Sequence, residues 1–121
     1  MQKNLWTEES DKYTKRAQSF LRDRFYGGKD QIESSKRFSG AIKNYCPKPK
    51  NILDIGCAYG GLINELVKIY KSTNFVGIDP GKKSIEIANN NIKNKRVTFI
   101  KGVSDDLPFR GQEFDAVTLT M

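Results

Sequence analysis

An α/β fold with a parallel, doubly wound sheet is predicted for residues 51–121. Three observations predict it. Short apolar runs alternate with amphipathic helical patterns, the signature of βαβ units. The first run enters a turn of small residues, Gly56-Cys57-Ala58-Tyr59-Gly60-Gly61, and a helical pattern follows at once. The second run ends on an acid, Asp79, about twenty residues further on. Right-handed crossovers are expected to place helices on both faces of such a sheet.

The elements follow in order. Thr7, with Glu8 and Glu9 behind it, opens a first helix, because acids favour a helix N-terminus. Tyr13, Ala17, Phe20 and Leu21 recur at helical spacing and form one apolar face. Gly27-Gly28 breaks that helix. A second helix is predicted over 31–45, with Phe38, Ile42 and Tyr45 on one side, and Pro47 and Pro49 end it. Residues 51–55 predict a strand, and 61–70 a helix with Leu62, Ile63, Leu66, Val67 and Tyr70 inward. Strands are predicted at 74–78, 96–101 and 114–120. A helix over 82–92 turns Ile85, Ala88 and Ile92 to the core. The chain reads as a helical N-terminal region, 1–50, that caps a ligand-binding half domain, 51–121.

Composition bounds the function. The 121 residues make one domain, 37% apolar and 29% charged, which is globular rather than disordered. No stretch approaches the ~20 apolar residues of a membrane span. Residues 1–10 lack the basic-then-apolar order of a secretion signal. There is no histidine, and Cys46 and Cys57 are too few for a disulfide framework or a four-cysteine zinc site. Together these features predict a soluble, cytoplasmic protein without a metal. The formal charge is +7, concentrated in residues 1–50, where twelve Lys and Arg face six Asp and Glu. Such a basic region can attract nucleic acid, anionic lipid or an acidic substrate. The basic residues form no arginine-rich block, so the expected role is a solvated lysine-rich face.

The turn at 56–61 and the acids beside it are the candidate site. Glycines permit positive φ and let a ligand approach the main chain, and open α/β sheets bind ligands at the carboxyl ends of their strands. Asp79 stands where a carboxylate accepts hydrogen bonds from ribose hydroxyls, or caps the helix that follows. Two ligands fit a glycine turn followed by such an acid. Gly56-x-Ala58-x-x-Gly61 is a degenerate dinucleotide fingerprint, and the other fit is S-adenosylmethionine. Asp54, two residues before the first glycine, separates them. A carboxylate there repels a pyrophosphate and favours a ligand with an ammonium and a sulfonium.

Asp54-x-Gly56-x-Ala58-x-Gly60 resembles motif I of the class I S-adenosylmethionine-dependent methyltransferases, with Ala58 in place of the middle glycine. The resemblance continues through Gly77-Ile78-Asp79-Pro80, Ile85 and Ala88. It resumes at Phe99-Ile100-Lys101-Gly102 and Leu107-Pro108-Phe109, and ends with Phe114-Asp115-Ala116-Val117. It covers residues 51–121. It implies a Rossmann-like sheet, with S-adenosyl-L-methionine as cofactor and a small-molecule methyl acceptor, as in the quinone-biosynthesis group. By residue, it implies that Asp54 and the Gly56 backbone face the methionine amino end. Cys57 and Ala58 run beneath the ligand, with Gly60 completing the turn. Asp79 holds the ribose and Pro80 borders the adenine. Where the family often has an acid on the adenine amino group, this chain has Val103, so Ser104, Asp105 or backbone makes that contact. Thr120 falls where the fourth strand reaches the cofactor.

The resemblance also implies a sheet ordered 3-2-1-4-5-7-6, of which this chain supplies four strands, truncated after the fourth. The chain is therefore expected to be part of a longer enzyme, or to pair with a second piece through an apolar fourth-strand edge carrying Ala116, Val117 and Leu119. Trp6 and Tyr13 on the N-terminal helices are candidates to close over the pocket, against ordinary helix packing. Thr120-Met121 stands where amide and exocyclic-amine methyltransferases carry Asn/Asp-Pro-Pro-aromatic, which disfavours those acceptors. A non-catalytic adenosyl-binding module is the alternative, and a nicotinamide-dependent oxidoreductase is disfavoured by Asp54.

Overall fold

A computed structural model describes residues 29–109 and 113–119, with side chains from residue 33 onward. The expected first helix, with Trp6 and Tyr13, lies outside the described residues, as do Thr120 and Met121. The described elements are α1 (Lys29–Tyr45), β1 (Asn51–Ile55), α2 (Gly61–Ile69), β2 (Asn74–Asp79), α3 (Lys82–Asn91), β3 (Val97–Lys101) and β4 (Ala116–Leu119). The four strands form one parallel sheet in the order β3-β2-β1-β4. This is the 3-2-1-4 order that the family resemblance implies. Winding runs outward from β1 through β2 to β3, then returns to add β4 on the other side of β1. The gap between β1 and β4 is therefore the topological switch point.

Helix ends follow local chemistry. Gly60, at φ 85°, caps α2, and Asn64 N–H already reaches the Gly60 carbonyl. Tyr70 turns extended while its N–H still bonds Leu66 O, so α2 stops at Ile69, one residue short of the expected end. Ile92 closes α3 in the same manner. β2 runs one residue past its expected end and takes in Asp79, whereas β3 starts at Val97. Phe114 and Asp115 stand before β4 rather than in it.

The core is a slab between the sheet and the described helices. Leu62, Ile63 and Leu66 of α2, Tyr70 beyond it, and Ile85 and Ala88 of α3 pack on Ile52, Phe75 and Phe99. Ile52 pairs in register with Phe75, and Asp54 pairs with Gly77 and through it with Phe99. These residues therefore share one face of the sheet. α1 packs against α2 and adds Ile42 to this cluster. The inward side of α1 differs from expectation. Phe38 is exposed and Tyr45 is 91% exposed, whereas Ser39 is buried. Ser39 Oγ bonds the Lys36 carbonyl at 2.8 Å, so a small, self-satisfied side chain takes the close approach that a bulky ring would block. On the opposite sheet face of β4, Val117 is 56% and Leu119 62% exposed.

Two polar devices fix the frame. Arg96, just before β3, gives its guanidinium to the carbonyls of Tyr70 at 2.7 Å, Thr73 at 2.8 Å and Val67 at 3.2 Å. It thereby closes the C-terminal end of α2, where carbonyls lack helical partners. At the far edge, one oxygen of Asp115 accepts the N–H groups of Lys50 at 2.7 Å and Asn51 at 3.0 Å. Asp115 N–H returns a bond to Asn51 O at 2.9 Å. This clamp sets the β1–β4 register, Ile52 opposite Ala116 and Asp54 opposite Thr118.

The two backbone N–H bonds hold the Asp115 carboxyl below its usual range. A carboxylate depressed in the folded state contributes stability above the unfolded value, near 4, and loses it as pH falls through the folded value. Asp115→Asn is therefore expected to lower the melting temperature at pH 7. The gap to the wild type is expected to shrink as pH falls below about 4. Thermal melts across that range check it; a gap that stays constant rules out the clamp as its cause.

Candidate functional site

The candidate site lies at the carboxyl ends of β1, β2 and β4. Three residues of its turn have positive φ: Gly56 at 75°, Ala58 at 49° and Gly60 at 85°. For Ala58 this costs on the order of 1–2 kcal/mol, since a Cβ crowds the carbonyl in that region. What holds it there is Asp79. Its Oδ2 accepts the Ala58 N–H at 3.0 Å, and its Oδ1 accepts the Gly81 N–H at 2.8 Å. Asp79 thus ties the β1 turn to the start of α3, while the residue capping α3 is Gly81 itself.

The turn is pinned to β2 by its own amides. Gly56 N–H and Cys57 N–H both donate to Ile78 O, at 2.8 and 2.9 Å, and Gly60 N–H donates to Cys57 O at 2.9 Å. With Ala58 bound to Asp79, the amides at 56, 57, 58 and 60 are all engaged within the protein. A phosphate cradle needs such amides directed at the ligand. In this turn those four amides are turned to protein acceptors, and what disfavours a pyrophosphate is the Asp54 carboxylate beside it.

Gly77 makes the close approach possible. A Cβ there would stand 2.8 Å from Phe99, 2.9 Å from the Cys57 sulfur and 2.9 Å from Ile63. The Cys57 side chain accordingly points into the core and not toward a ligand, and both cysteines are free thiols. Burial pushes the Cys57 thiol far up, and the charges of Asp79 and then Asp54 push it further. The thiol is therefore an inert packing group in a locally negative field.

Asp54 is 0% exposed, on the same sheet face as Gly77. Its Oδ1 accepts the Thr118 hydroxyl at 2.7 Å across the switch point. Thr118 was not singled out from sequence. The signal lies in the β1–β4 register, which no local pattern reveals.

The remaining candidates fall around this centre. Pro80 follows Asp79 and is half-buried. Gly102 N–H bonds Asp79 O at 3.0 Å, which brings the segment after β3 alongside the end of β2. On that segment Val103 is half-buried, and Ser104 and Asp105 are exposed. Asp54, Gly56, Ala58, Asp79 and the start of the 102–104 segment are thus brought together. Thr120 lies outside the described residues. Among the described residues no cluster of three His, Cys, Asp or Glu stands where it could hold a metal ion. No described helix is long and apolar enough to cross a membrane.

Parallel strands in the order 3-2-1-4, with a glycine turn at the switch point, define a Rossmann-like α/β domain. Residues 52–121 match the sequence model of the family described as "Methyltransferase domain", and the chain belongs to that family, the class I S-adenosylmethionine-dependent methyltransferases. It is 29% identical over 68 residues to the fatty-acid O-methyltransferase of Mycolicibacterium smegmatis, covering 56% of this chain and 25% of that protein. It is 31% identical over 90 residues to norajmaline N-methyltransferase of Rauvolfia serpentina, covering 71% of this chain and 30% of that protein. The plantazolicin methyltransferase BpumL, solved in complex with SAH, superposes with a TM-score of 0.59 at 26% identity, over 74% of this chain and 35% of that one. The chain therefore spans between a quarter and a third of the length of these two curated relatives.

Proposed function

We propose that this chain is the cofactor-binding portion of an S-adenosylmethionine-dependent methyltransferase that acts on a small-molecule acceptor. The observation that carries the reading is the pair of buried carboxylates, Asp54 and Asp79, flanking a turn whose amides at 56, 57, 58 and 60 are engaged internally. Such a site is negative, which suits a ligand with two hydroxyls at one end and an ammonium and a sulfonium at the other. Relatives that act on a fatty acid and on norajmaline support a small-molecule acceptor.

In this reading Asp79 accepts from the ribose hydroxyls. A carboxylate offers roughly four lone-pair sites, so it can accept from hydroxyls as well as from the Ala58 and Gly81 amides. Asp54 and the Gly56 backbone take the methionine end. Cys57 contributes only main chain, since its thiol is buried in the core. Ala58 and Gly60 shape the turn under the ligand, while Pro80, Val103 and Ser104 border the adenine. When bound, S-adenosylmethionine supplies an electrophilic methyl group on sulfur. The protein's work is then to orient that group toward the acceptor and exclude water.

Calorimetric titration of the chain with S-adenosylmethionine, S-adenosylhomocysteine and NAD tests the reading. The two adenosyl ligands are expected to bind and NAD is not. Binding of NAD alone, or of none of the three by a folded chain, overturns it.

A further inference from the structure

We infer that Thr118 is a positioning residue for the cofactor's amino-acid end, acting through Asp54. The inference rests on the cofactor reading above. Thr118 is the only buried residue of β4; Ala116 is half-buried, and Val117 and Leu119 are exposed. An aliphatic side chain would fill that buried position equally well, and β-branched Val suits a strand as readily as Thr. What Thr adds is a hydroxyl, and the hydroxyl has one proton to donate. It stands 2.7 Å from Asp54 Oδ1 and 3.4 Å from Leu53 O, so the proton goes to the carboxylate.

The consequence is directional. Asp54 sits buried on β1, and the terminal torsion of a carboxylate is broad, so its hydrogen bonds help to decide its plane. The Thr118 bond spans the switch point and fixes one oxygen toward β4. That sets the plane of the carboxylate and hence where its other oxygen stands. The Asp115 clamp, three residues earlier, fixes the register that puts Thr118 opposite Asp54. A carboxylate held in advance loses less freedom when an ammonium arrives. Removing the hydroxyl therefore weakens binding of a ligand that carries the ammonium and spares one that lacks it.

The test compares two ligands on the same chain: S-adenosylmethionine, and 5′-methylthioadenosine, which has the ribose and adenine but no amino-acid end. Thr118→Val keeps the shape and removes the donor. It is expected to raise the Kd for S-adenosylmethionine about tenfold and leave that for 5′-methylthioadenosine within about twofold, a difference of roughly 1.4 kcal/mol in one ligand only. Thr118→Ser restores the hydroxyl and is expected to bring S-adenosylmethionine back to within about threefold of wild type. If Thr118→Val does not fold, Thr118→Ala carries the same expectation. A merely structural role would lower the melting temperature and leave the ratio of the two affinities unchanged. That result, or equal loss of both ligands, overturns the inference. Failure of the wild-type chain to bind S-adenosylmethionine overturns the cofactor reading itself, and the role of Thr118 with it.

Discussion

Asp79→Ala is expected to weaken S-adenosylmethionine binding by at least ~100-fold. Two hydrogen bonds from ribose hydroxyls to a carboxylate are worth roughly 1.5–3 kcal/mol each, and 1.4 kcal/mol is tenfold in affinity. The same substitution removes the acceptor for the Ala58 and Gly81 amides. Gly81 is buried, so its N–H is left unsatisfied at about 1–3 kcal/mol. Ala58 also loses the bond that holds it at positive φ, so the turn is expected to relax away from its bound shape. Asp79→Asn separates the two effects. It keeps one carbonyl oxygen for an amide but loses the charge, so it is expected to retain more stability than Asp79→Ala while still binding at least ~10-fold more weakly than wild type. Calorimetric titration with a parallel thermal melt checks both. A Kd within threefold of wild type for Asp79→Ala would remove the ribose role from this residue.

The largest effect on stability is expected at Arg96. Its guanidinium satisfies three carbonyls that belong to the end of α2 and the chain leading into β2. It also lies over the Phe75 ring, 5.9 Å from its centroid. Arg96→Met keeps most of the apolar stem and deletes every donor. It is expected to cost on the order of 3 kcal/mol, because hydrogen bonds from a charged group are worth about 1.5–3 kcal/mol each and do not add fully. Arg96→Lys retains the charge but not the planar fork, so it reaches fewer of the carbonyls and is expected to recover about half of the loss. Urea denaturation followed by circular dichroism reads the change directly. A loss below about 1 kcal/mol, or a full recovery by Lys, would show that the carbonyls are satisfied by water instead.

Much of the fold was legible because it is written in local patterns. The alternation of apolar runs with helical spacing gave every described strand and helix from 29 onward, with boundaries off by at most two residues. The glycine turn was legible because Gly56 and Gly60 stand where positive φ is needed. The inward face of α1 was not. Phe38, Ile42 and Tyr45 share a helical spacing, and of the three Ile42 packs on the core, while Phe38 and Tyr45 are exposed and Ser39 is buried. A periodic pattern identifies a candidate face; the packing partner decides which face is used.

The site divides in the same way. Asp54 and Asp79 could be singled out from sequence because Asp54 lies two residues before the first glycine of the turn and Asp79 ends the next apolar run about twenty residues on. Their partners could not be. Thr118 lies 64 positions from Asp54 and meets it only through the β1–β4 register. Asp115 lies 65 positions from Lys50 and sets that register. Gly77 reads as an ordinary strand residue until Phe99, Cys57 and Ile63 are seen to occupy the space a β-carbon would need. Sequence alone determined the alternation of strands and helices, the turn, its two acids and the family. Only the tertiary structure decided which groups those acids hold, because hydrogen bonds between strands depend on register, and register is set by the whole sheet rather than by any one of its strands.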